Sequence, residues 1–362
     1  MGIRTIIIDD EAPARERLRG LLQTHKEIEV IDEASNGIEA VAKIKSLQPQ
    51  LVFLDIEMPG FNGFKVVQSL DPHSLPNIVF VTAYNQYAIE AFEIGAIDYL
   101  LKPVKQSRLN DSIHRAVSTM QEQRTAWIGA REVQKRLLPE KDETLGKIEV
   151  TGTCLAAHDV GGDYYDFIRL SGDQVGICIA DISGKGFAAA LMMANLQASL
   201  KITAMTRGEP AAVVGKINQL FYENSVPEMF ATLFYGVYDG AHERFTFCNA
   251  GHNPPLLLQG DTVRRLEPGG TVVGMFAGAR YEQATVGLPP ASMVVGYSDG
   301  LTELTNKAGE EFGEERLISV VRELQGLSAA TVKRVILESA RDFAPQETYR
   351  DDLTVIVLKV TG

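Results

Sequence analysis

The sequence predicts an α/β doubly wound domain with five parallel strands, followed by a helical linker and an α+β sandwich. Three observations support this order. Short apolar runs alternate with amphipathic segments over the first hundred residues, as in a parallel sheet covered by helices. A helical pattern without proline occupies residues 107–138, and strand-like runs with grouped helical segments follow from residue 148. The 362 residues are enough for two full cores.

Five apolar runs mark the strands of the first domain. They occupy residues 3–8, 28–31, 51–54, 78–81 and 99–101. Helix-like patterns lie between them, so the strands are expected to be parallel. Ligands of this architecture bind at the carboxyl ends of the strands, and the residues that follow each run are therefore the candidate site.

Polar side chains end or follow four of these runs. Asp9 and Asp10 follow the first, Asp55 the third, Thr82 the fourth and Lys102 the fifth. The three carboxylates can hold one Mg²⁺, which lowers the repulsion between a phosphoryl group and Asp55 as nucleophile. Lys102 would contact the phosphoryl oxygens, and Thr82 would follow the bound phosphate. Each residue alone fits a helix cap equally well, but five in this order favour the site.

The motifs around these residues resemble those of response-regulator receiver domains, which have a flavodoxin-like fold. They are IDDE at 8–11, LDIEMPG at 54–60, VTA at 81–83 and DYLLKP at 98–103. The resemblance covers residues 1–120 and implies a sensor histidine kinase as partner and a cis peptide before Pro103. The roles it implies are phosphoacceptor for Asp55, Mg²⁺ ligand for Asp9, Asp10 and Asp55, phosphate contact for Thr82 and Lys102, and switch aromatic for Tyr99.

Residues 107–138 connect the two domains and overlap the end of the first. Nine positions recur there at alternating spacings of four and three, which is a heptad seam with two polar interruptions. We expect a parallel coiled coil that makes the protein a homodimer; the alternative is a long helix packed onto its own domains. The pattern ends at Pro139. The seam comprises Leu109, Ile113, Ala116, Met120, Gln123, Trp127, Ala130, Gln134 and Leu137.

Acidic residues again lie beside apolar runs in the second domain. Asp181 follows the run at 175–180, Asp299 follows the run at 293–297, and Asp351 precedes the run at 353–358. Asp163 precedes a further predicted strand. Carboxylates brought together in this way make an oxygen-rich pocket for hard divalent cations. Asp299-Gly300 alone fits an ordinary turn, but the four acids together predict a metal site.

The segment from about residue 130 to residue 362 resembles the SpoIIE/RsbU-type branch of the PP2C (PPM) protein phosphatases, and its domain is expected at 139–362. The matching motifs are REVQKRLLP at 131–139, GGDYYD at 161–166, DISGKG at 181–186, NAGHNPP at 249–255, SDG at 298–300 and RDDLT at 350–354. The resemblance implies an αββα sandwich that binds two Mn²⁺ or Mg²⁺ ions. Water bridging two such cations is the nucleophile expected, with no covalent phosphoenzyme.

The resemblance also implies a ligand for each position of this metal centre. Asp163 and Asp181 would reach both ions, helped by the Ile182 carbonyl. Asp299 and Asp351 would complete the shell of the second ion, with Asp352 as the alternative to Asp351. The arginine that some family members place near the first aspartate is absent, and His158 or Lys185 is the substitute; local structural roles are favoured for both, as for His252.

Composition limits the remaining function classes. The net charge of −12 argues against nucleic-acid or anionic-membrane binding. The three cysteines are scattered, which favours reduced thiols over disulfides or zinc. The strand-like N-terminus argues against a signal peptide, and no apolar run reaches the length of a membrane span. We therefore expect a cytoplasmic protein.

These observations predict a two-component response regulator whose output is a metal-dependent serine/threonine phosphatase under the control of Asp55. Family resemblance suggests a STAS-type anti-sigma-factor antagonist as substrate. The rival from another class is a phosphorylation-gated adaptor with an inactive phosphatase fold. A DNA-binding regulator is disfavoured because the output half has no helix-turn-helix or basic stripe. The sequence names neither the kinase nor the substrate. It fits Mn²⁺ and Mg²⁺ equally, and it fits activation and inhibition of the phosphatase by phosphorylation of Asp55 equally.

Overall fold

The computed structural model describes residues 2–71, 75–206, 208–226, 228–345 and 349–361. The chain divides into two compact units, Met1–Ala126 and Trp127–Gly362. The division falls within one long helix, α5 (Gln106–Leu137). The domain limits expected from the sequence, at residues 120 and 139, lie on either side of this division and stay predictions.

The first unit is the five-stranded parallel sheet that the sequence predicts, in the order β2-β1-β3-β4-β5. The second strand is three residues longer than its apolar run because it pairs with β1 as far as Ala34. The elements are β1 (Ile3–Ile8), α1 (Ala12–Leu22), β2 (Ile28–Ala34), α2 (Gly37–Leu47), β3 (Leu51–Leu54), α3 (Gly63–Gln68), β4 (Asn77–Thr82), α4 (Ala88–Glu93) and β5 (Asp98–Leu101).

The three central strands of this sheet, β1, β3 and β4, are buried on both faces. Ile6 and Val52 belong to one apolar cluster, whereas Ile7 and Phe53 belong to another. This burial explains why the runs are continuously apolar instead of alternating. Each fully buried side chain of this size stabilises the fold by about 1.5–3 kcal/mol relative to an exposed one. The packed sheet therefore holds its carboxyl edge, and the polar residues on it, in fixed positions.

Helix α5 uses part of the predicted heptad seam within its own chain. Leu109, Ile113 and Ala116 are fully buried in the core of the first unit. In the second unit, the Trp127 ring lies edge-on to Phe187, with 4.9 Å between ring centroids, and Gln134 bonds to a backbone group. Both ends of the seam thus pack within their own chain, as expected for a long helix packed onto its own domains. The coiled coil stays a prediction for the middle of the helix.

The second unit contains two six-stranded sheets. One has the order β14-β11-β10-β9-β8, with β15 paired to β11, and the other has the order β13-β12-β16-β17-β7-β6. Its elements are β6 (Glu143–Leu145), β7 (Ile148–Leu155), β8 (Tyr164–Arg169), β9 (Gln174–Ile182), α6 (Gly186–Thr206), α7 (Pro210–Asn224), β10 (Ala231–Asp239), β11 (Arg244–Ala250), β12 (Leu256–Gln259), β13 (Thr262–Arg265), β14 (Gly269–Gly270), β15 (Ala284–Gly287), β16 (Met293–Tyr297), α8 (Asp299–Thr302), α9 (Glu314–Glu323), α10 (Ala329–Phe343) and β17 (Leu353–Val360).

Three apolar clusters stack these elements into four layers. The central cluster lies between the two sheets and includes Phe234 and Ile356. A second packs one sheet against α6 and α7, and a third packs the other sheet against α9 and α10. Alternation along the strands sends successive side chains to different clusters. The predicted αββα sandwich is confirmed. None of the helices in the described part of the chain is long and apolar enough to cross a membrane.

Candidate functional site

The carboxyl edge of the first sheet brings together the predicted acids and the lysine. The ammonium of Lys102 lies 2.7 Å from Asp9 and 2.6 Å from Asp55, whose side chains are both buried. Asp10 is exposed, and one carboxylate oxygen from each of Asp9, Asp10 and Asp55 lies within 4.8 Å of the other two. The peptide between Lys102 and Pro103 is cis, as expected. Three oxygens so close together are the donor set that Mg²⁺ prefers.

Burial and charge shape the chemistry of this edge. Burial raises the pKa of Asp55 above its ordinary value, in spite of the hydrogen bond from Lys102. Burial lowers the pKa of Lys102, but the hydrogen bonds to Asp55 and Asp9 more than offset this and leave that pKa raised. Lys102 is therefore a permanent cation beside Asp55. A phosphoryl group on Asp55 would lie beside this cation.

The two remaining receiver residues lie near the same edge. Thr82 ends β4, and its hydroxyl is buried with no hydrogen-bond partner among the described residues. An unpartnered buried hydroxyl is costly, and an added phosphoryl oxygen would give it an acceptor. Tyr99 is half-buried, and its hydroxyl donates a hydrogen bond to the Tyr84 carbonyl in the loop after β4. The side chain thus connects β5 to the segment that follows Thr82.

In the second unit, the predicted acids lie at adjacent strand ends of both sheets. Asp163 precedes β8 and Asp181 lies at the end of β9, which is antiparallel to β8. Asp299 follows β16 by two residues and begins α8, whereas Asp351 lies two residues before β17. The hydroxyl of Thr354 in β17 donates to Asp163 at 2.6 Å and so joins the two sheets at this end.

The adjacent acids Asp351 and Asp352 have different surroundings. Asp352 is buried, and its carboxylate accepts hydrogen bonds from the backbone N–H groups of Ala157 at 2.8 Å and Gly162 at 2.7 Å. Asp351 is half-exposed and pairs with the Lys185 ammonium at 2.8 Å. Asp352 thus holds the loop that contains Ala157 and Gly162 beside the start of β17, whereas the carboxylate of Asp351 is accessible to a ligand.

A family model described as Stage II sporulation protein E (SpoIIE) matches residues 171–361, which is more than half of the chain. The chain belongs to the SpoIIE family. A second model, the response regulator receiver domain, matches residues 5–114. The chain therefore joins a receiver domain to a SpoIIE-type domain, as the sequence motifs implied.

Curated relatives match parts of this SpoIIE-family chain. The transcriptional regulatory protein BtsR of Salmonella typhi is 43% identical over 150 residues, which are 41% of this chain and 59% of that protein. An uncharacterized response regulatory protein of Vibrio cholerae is 37% identical over 209 residues, 57% of this chain and 78% of the relative. The chain thus spans about three fifths of the length of BtsR.

Solved structures resemble the SpoIIE-family unit in fold. The SiaA-PP2C domain of Pseudomonas aeruginosa superposes with a TM-score of 0.61 at 20% identity, covering 67% of this chain and 98% of that domain. A structure with the PP2C phosphatase domain of SpoIIE from Bacillus subtilis superposes with a TM-score of 0.52 at 18% identity, covering 61% of this chain and 64% of that chain. These likenesses establish a PP2C-type fold.

The acids of the SpoIIE-family unit repel one another. Burial, then the charges of Asp181 and Asp352, hold the pKa of Asp163 far above its usual range. Burial, followed by the charges of Asp299 and Asp351, raises the pKa of Asp181 to about 7. Over the described residues, no three of these carboxylates approach within 4.8 Å of one another. A buried group of like charges needs cations to ionise together, so the donor set fits divalent metals.

Glycines bring the backbone close to these acids. A methyl group on Gly162 would lie 2.8 Å from the Ile182 carbonyl oxygen, and one on Gly161 would overlap the Asp352 carboxylate. Gly184 and Gly186 have φ of +91° and +74°, which disfavours other residues in the loop after Asp181. The Ile182 carbonyl therefore lies against Gly162, the residue before Asp163, and its role as a ligand stays a prediction.

His252 and Asp166 have polar partners that fit structural roles, whereas the structural role expected for His158 stays a prediction. His158 is exposed in the pocket that Asp181 and Lys185 also line. His252 is buried with its Nδ1 2.7 Å from the Thr232 hydroxyl, and burial lowers its pKa to about 4, so it is neutral at pH 7. Asp166, despite its place in GGDYYD, pairs with Lys201 of α6 at 2.8 Å.

Sequence reasoning missed several residues that support the site. Thr354 donates to Asp163, and the Ser298 hydroxyl accepts a hydrogen bond from the Thr354 N–H at 2.9 Å and donates to the Asp352 carbonyl. Lys185 was considered for phosphate, but its ion pair with Asp351 was not expected. The signal for Thr354 and Ser298 is their place beside motif acids, but hydrogen-bond partners far apart in sequence cannot be read from spacing.

The raised pKa of Asp181 predicts how the metal-free protein responds to pH. The folded state binds a proton at Asp181 between about pH 4 and pH 7 and the unfolded state does not, so stability falls as pH rises through this window. In EDTA, the Asp181→Asn variant should melt at the wild-type temperature at pH 4 and at least ~4 °C above it at pH 7.5. Scanning calorimetry checks this; a variant that melts lower at both pH values contradicts it.

Proposed function

We propose that the second unit is an active metal-dependent serine/threonine phosphatase and that phosphorylation of Asp55 in the receiver controls it. The observation that carries this proposal is that four acids lie at neighbouring strand ends of the two sheets, and that burial and nearby like charges raise the pKa values of three of them, Asp163, Asp181 and Asp299. Such a cluster is costly unless cations neutralise it. Membership of the SpoIIE family supports the same conclusion. We assign residues 139–362 to the phosphatase domain.

The ligand set proposed is Asp163 and Asp181 with the Ile182 carbonyl for both ions, and Asp299 and Asp351 for the second. Asp352 is assigned to holding the loop, because backbone N–H groups already use both of its oxygens. When bound, two Mn²⁺ or Mg²⁺ ions supply an activated water and neutralise charge on the phosphoryl oxygens. Thr354 keeps Asp163 oriented, and Lys185 would share the Asp351 carboxylate with the ion that it binds.

The substrate proposed is a phosphoserine or phosphothreonine on a small regulatory protein, of the STAS anti-sigma-factor antagonist class. Family resemblance supports this class. The pocket beside Asp181 adds a chemical reason, because it is lined by Lys185 and by His158, which can face an anionic phosphate. The proposal implies a cytoplasmic protein that meets its substrate and its kinase there.

In the receiver, residues 1–120, we propose that a sensor histidine kinase phosphorylates Asp55. Asp9, Asp10 and Asp55 would hold one Mg²⁺, which supports phosphoryl transfer by lowering charge repulsion. Lys102 and Thr82 would then contact the phosphoryl oxygens. Tyr99 would report the movement of Thr82, since its hydroxyl is bonded to the loop that follows that residue.

The experiment that tests the proposed activity uses a STAS protein phosphorylated on serine as substrate. The full chain should release phosphate in Mn²⁺ and stop when EDTA is added, because the water nucleophile needs the metal. The matched control for the loss of Asp181 is the Asp173→Asn variant. Asp173 is an exposed acid just before β9, at the end of that strand opposite Asp181. Failure of the folded, Mn²⁺-bound protein to dephosphorylate any phosphoserine protein would favour the adaptor alternative.

Dimerisation through residues 107–138 is proposed for the middle of α5 alone, because the packing of Leu109, Ile113 and Ala116 inside the first unit removes them from a seam. We expect light scattering of the full chain to give twice the monomer mass. Replacing Gln123, an exposed seam position, with glutamate should return it to the monomer mass, since a parallel seam places the two like charges opposite each other. A monomeric wild type at micromolar concentration would contradict the coiled coil.

A further inference from the structure

Gln134, in the last turn of α5, makes two hydrogen bonds to one backbone position of the second unit. Its Nε2 donates to the Gly161 carbonyl at 2.7 Å, and its Oε1 accepts from the Gly161 N–H at 3.0 Å. Gly161 is buried. Because a buried backbone group without a partner is costly, Gln134 satisfies both polar groups of a residue that ordinary secondary structure leaves unpaired.

Gly161 is held on its other side by the sheet. A side chain there would overlap the Asp352 carboxylate, which also accepts from the next N–H, that of Gly162, at 2.7 Å. Two successive glycines have a wide choice of backbone conformations, so external contacts must fix them. Gln134 supplies the contact from the helix, and Asp352 supplies the contact from the sheet.

The restrained glycines lie directly before Asp163 and beside the Ile182 carbonyl, which would be 2.8 Å from a methyl group on Gly162. A shift of the Gly161 peptide therefore moves Asp163, two residues on, relative to the Ile182 carbonyl, which β9 holds in place. The helix end has other anchors, since Leu138 packs on two apolar clusters and the Pro139 carbonyl accepts from the Tyr165 hydroxyl at 3.2 Å. Gln134 is thus not needed to attach α5.

We propose that Gln134 is a positioning residue of the metal centre: its amide fixes the Gly161 peptide and so sets the affinity of Asp163 and the Ile182 carbonyl for divalent cations. The inference rests on the proposed function of this unit. It gives Gln134 a role different from the polar seam position that its heptad spacing indicates. It also makes metal affinity depend on the position of α5, the helix that begins at Gln106 in the first unit.

The test is a Mn²⁺ titration of full-length variants that all carry Asp9→Asn, which removes a ligand of the receiver's own ion. Binding is monitored by thermal shift and by the electron paramagnetic resonance signal of free Mn²⁺. In Gln134→Ala, half-saturation should need ~10–100-fold more Mn²⁺, the range for loss of an outer-shell partner. Its metal-free melting temperature should stay within ~3 °C of wild type because the other anchors remain. Lys135→Ala, an exposed neighbour that pairs with Glu132, is the matched control and should keep wild-type affinity.

A second variant separates the amide from side-chain volume. Gln134→Glu has the same size but cannot donate to the Gly161 carbonyl, so it should bind Mn²⁺ at least as weakly as Gln134→Ala. Wild-type Mn²⁺ affinity in either variant overturns the inference. A variant whose melting temperature falls while its Mn²⁺ affinity stays at the wild-type value overturns it as well. Weakened Mn²⁺ binding in a protein that hydrolyses no phosphoester supports the inference while refuting the proposed function. Failure of the inference and failure of the proposed function are therefore distinguishable.

Discussion

Replacing Asp181 with asparagine is expected to lower Mn²⁺-dependent phosphate release by more than ~100-fold, since loss of an outer-shell partner alone costs up to that much. The side chain lies at the end of β9, where burial and then the charges of Asp299 and Asp351 raise its pKa, and it shares a hydrogen bond with Asp163. Asparagine keeps the shape but removes the charge that two cations require. Phosphate release at saturating Mn²⁺, with p-nitrophenyl phosphate and with a phosphoserine protein, measures the loss.

The Asp173→Asn protein is the control for this loss, because Asp173 is an exposed acid beside the same strand. It should retain wild-type turnover. The Asp181→Asn protein should still fold, since removing a charge from a repelling group relieves strain in the metal-free state. Wild-type turnover in Asp181→Asn would place the reaction at another group and would contradict the ligand set.

Replacing Asp55 with asparagine is expected to abolish phosphoryl transfer to the receiver. The carboxylate that would accept the group is buried beside Lys102, and an amide is not a nucleophile for this reaction. Incubation with a labelled small-molecule phosphodonor and Mg²⁺ should label wild type and leave Asp55→Asn at background. Any effect of the phosphodonor on phosphatase turnover should disappear in the same variant.

Asp111→Asn is the matched control for this prediction, because Asp111 is an exposed acid on α5 with an ordinary ion pair to Arg108. It should be labelled as fully as wild type. Labelling of Asp55→Asn at the wild-type level would mean that another group accepts the phosphoryl group. Labelling without any change of turnover would separate the receiver from control of the phosphatase.

The receiver fold was predictable because each strand is a short apolar run and each site residue follows a run directly. A parallel sheet brings such residues to one edge whatever the tertiary details, so Asp9, Asp55 and Lys102 are found together. The extent of β2 was not predictable, because its second half, Asp32-Glu33-Ala34, is polar and pairs only as an edge strand. Local hydrophobicity carries no information about that pairing.

In the second unit, the acids and the sandwich were predictable, but the distinction between adjacent acids was not. Spacing alone treats Asp351 and Asp352 as equivalents; the difference arises because Asp352 meets N–H groups nearly two hundred positions away in the chain. The same holds for Gln134, whose heptad spacing indicates a seam whereas its amide bonds Gly161. Periodicity reports which face a residue occupies, and the partner on that face depends on tertiary packing.

The central claim is that this chain is a phosphatase whose turnover the receiver controls. The most direct test is p-nitrophenyl phosphate hydrolysis by the full chain in Mn²⁺, with and without beryllofluoride as a phosphoryl mimic at Asp55. We predict Mn²⁺-dependent turnover that beryllofluoride changes in wild type and leaves unchanged in Asp55→Asn. A folded, Mn²⁺-bound protein with no turnover in either state, or with turnover that beryllofluoride does not affect, would contradict the account.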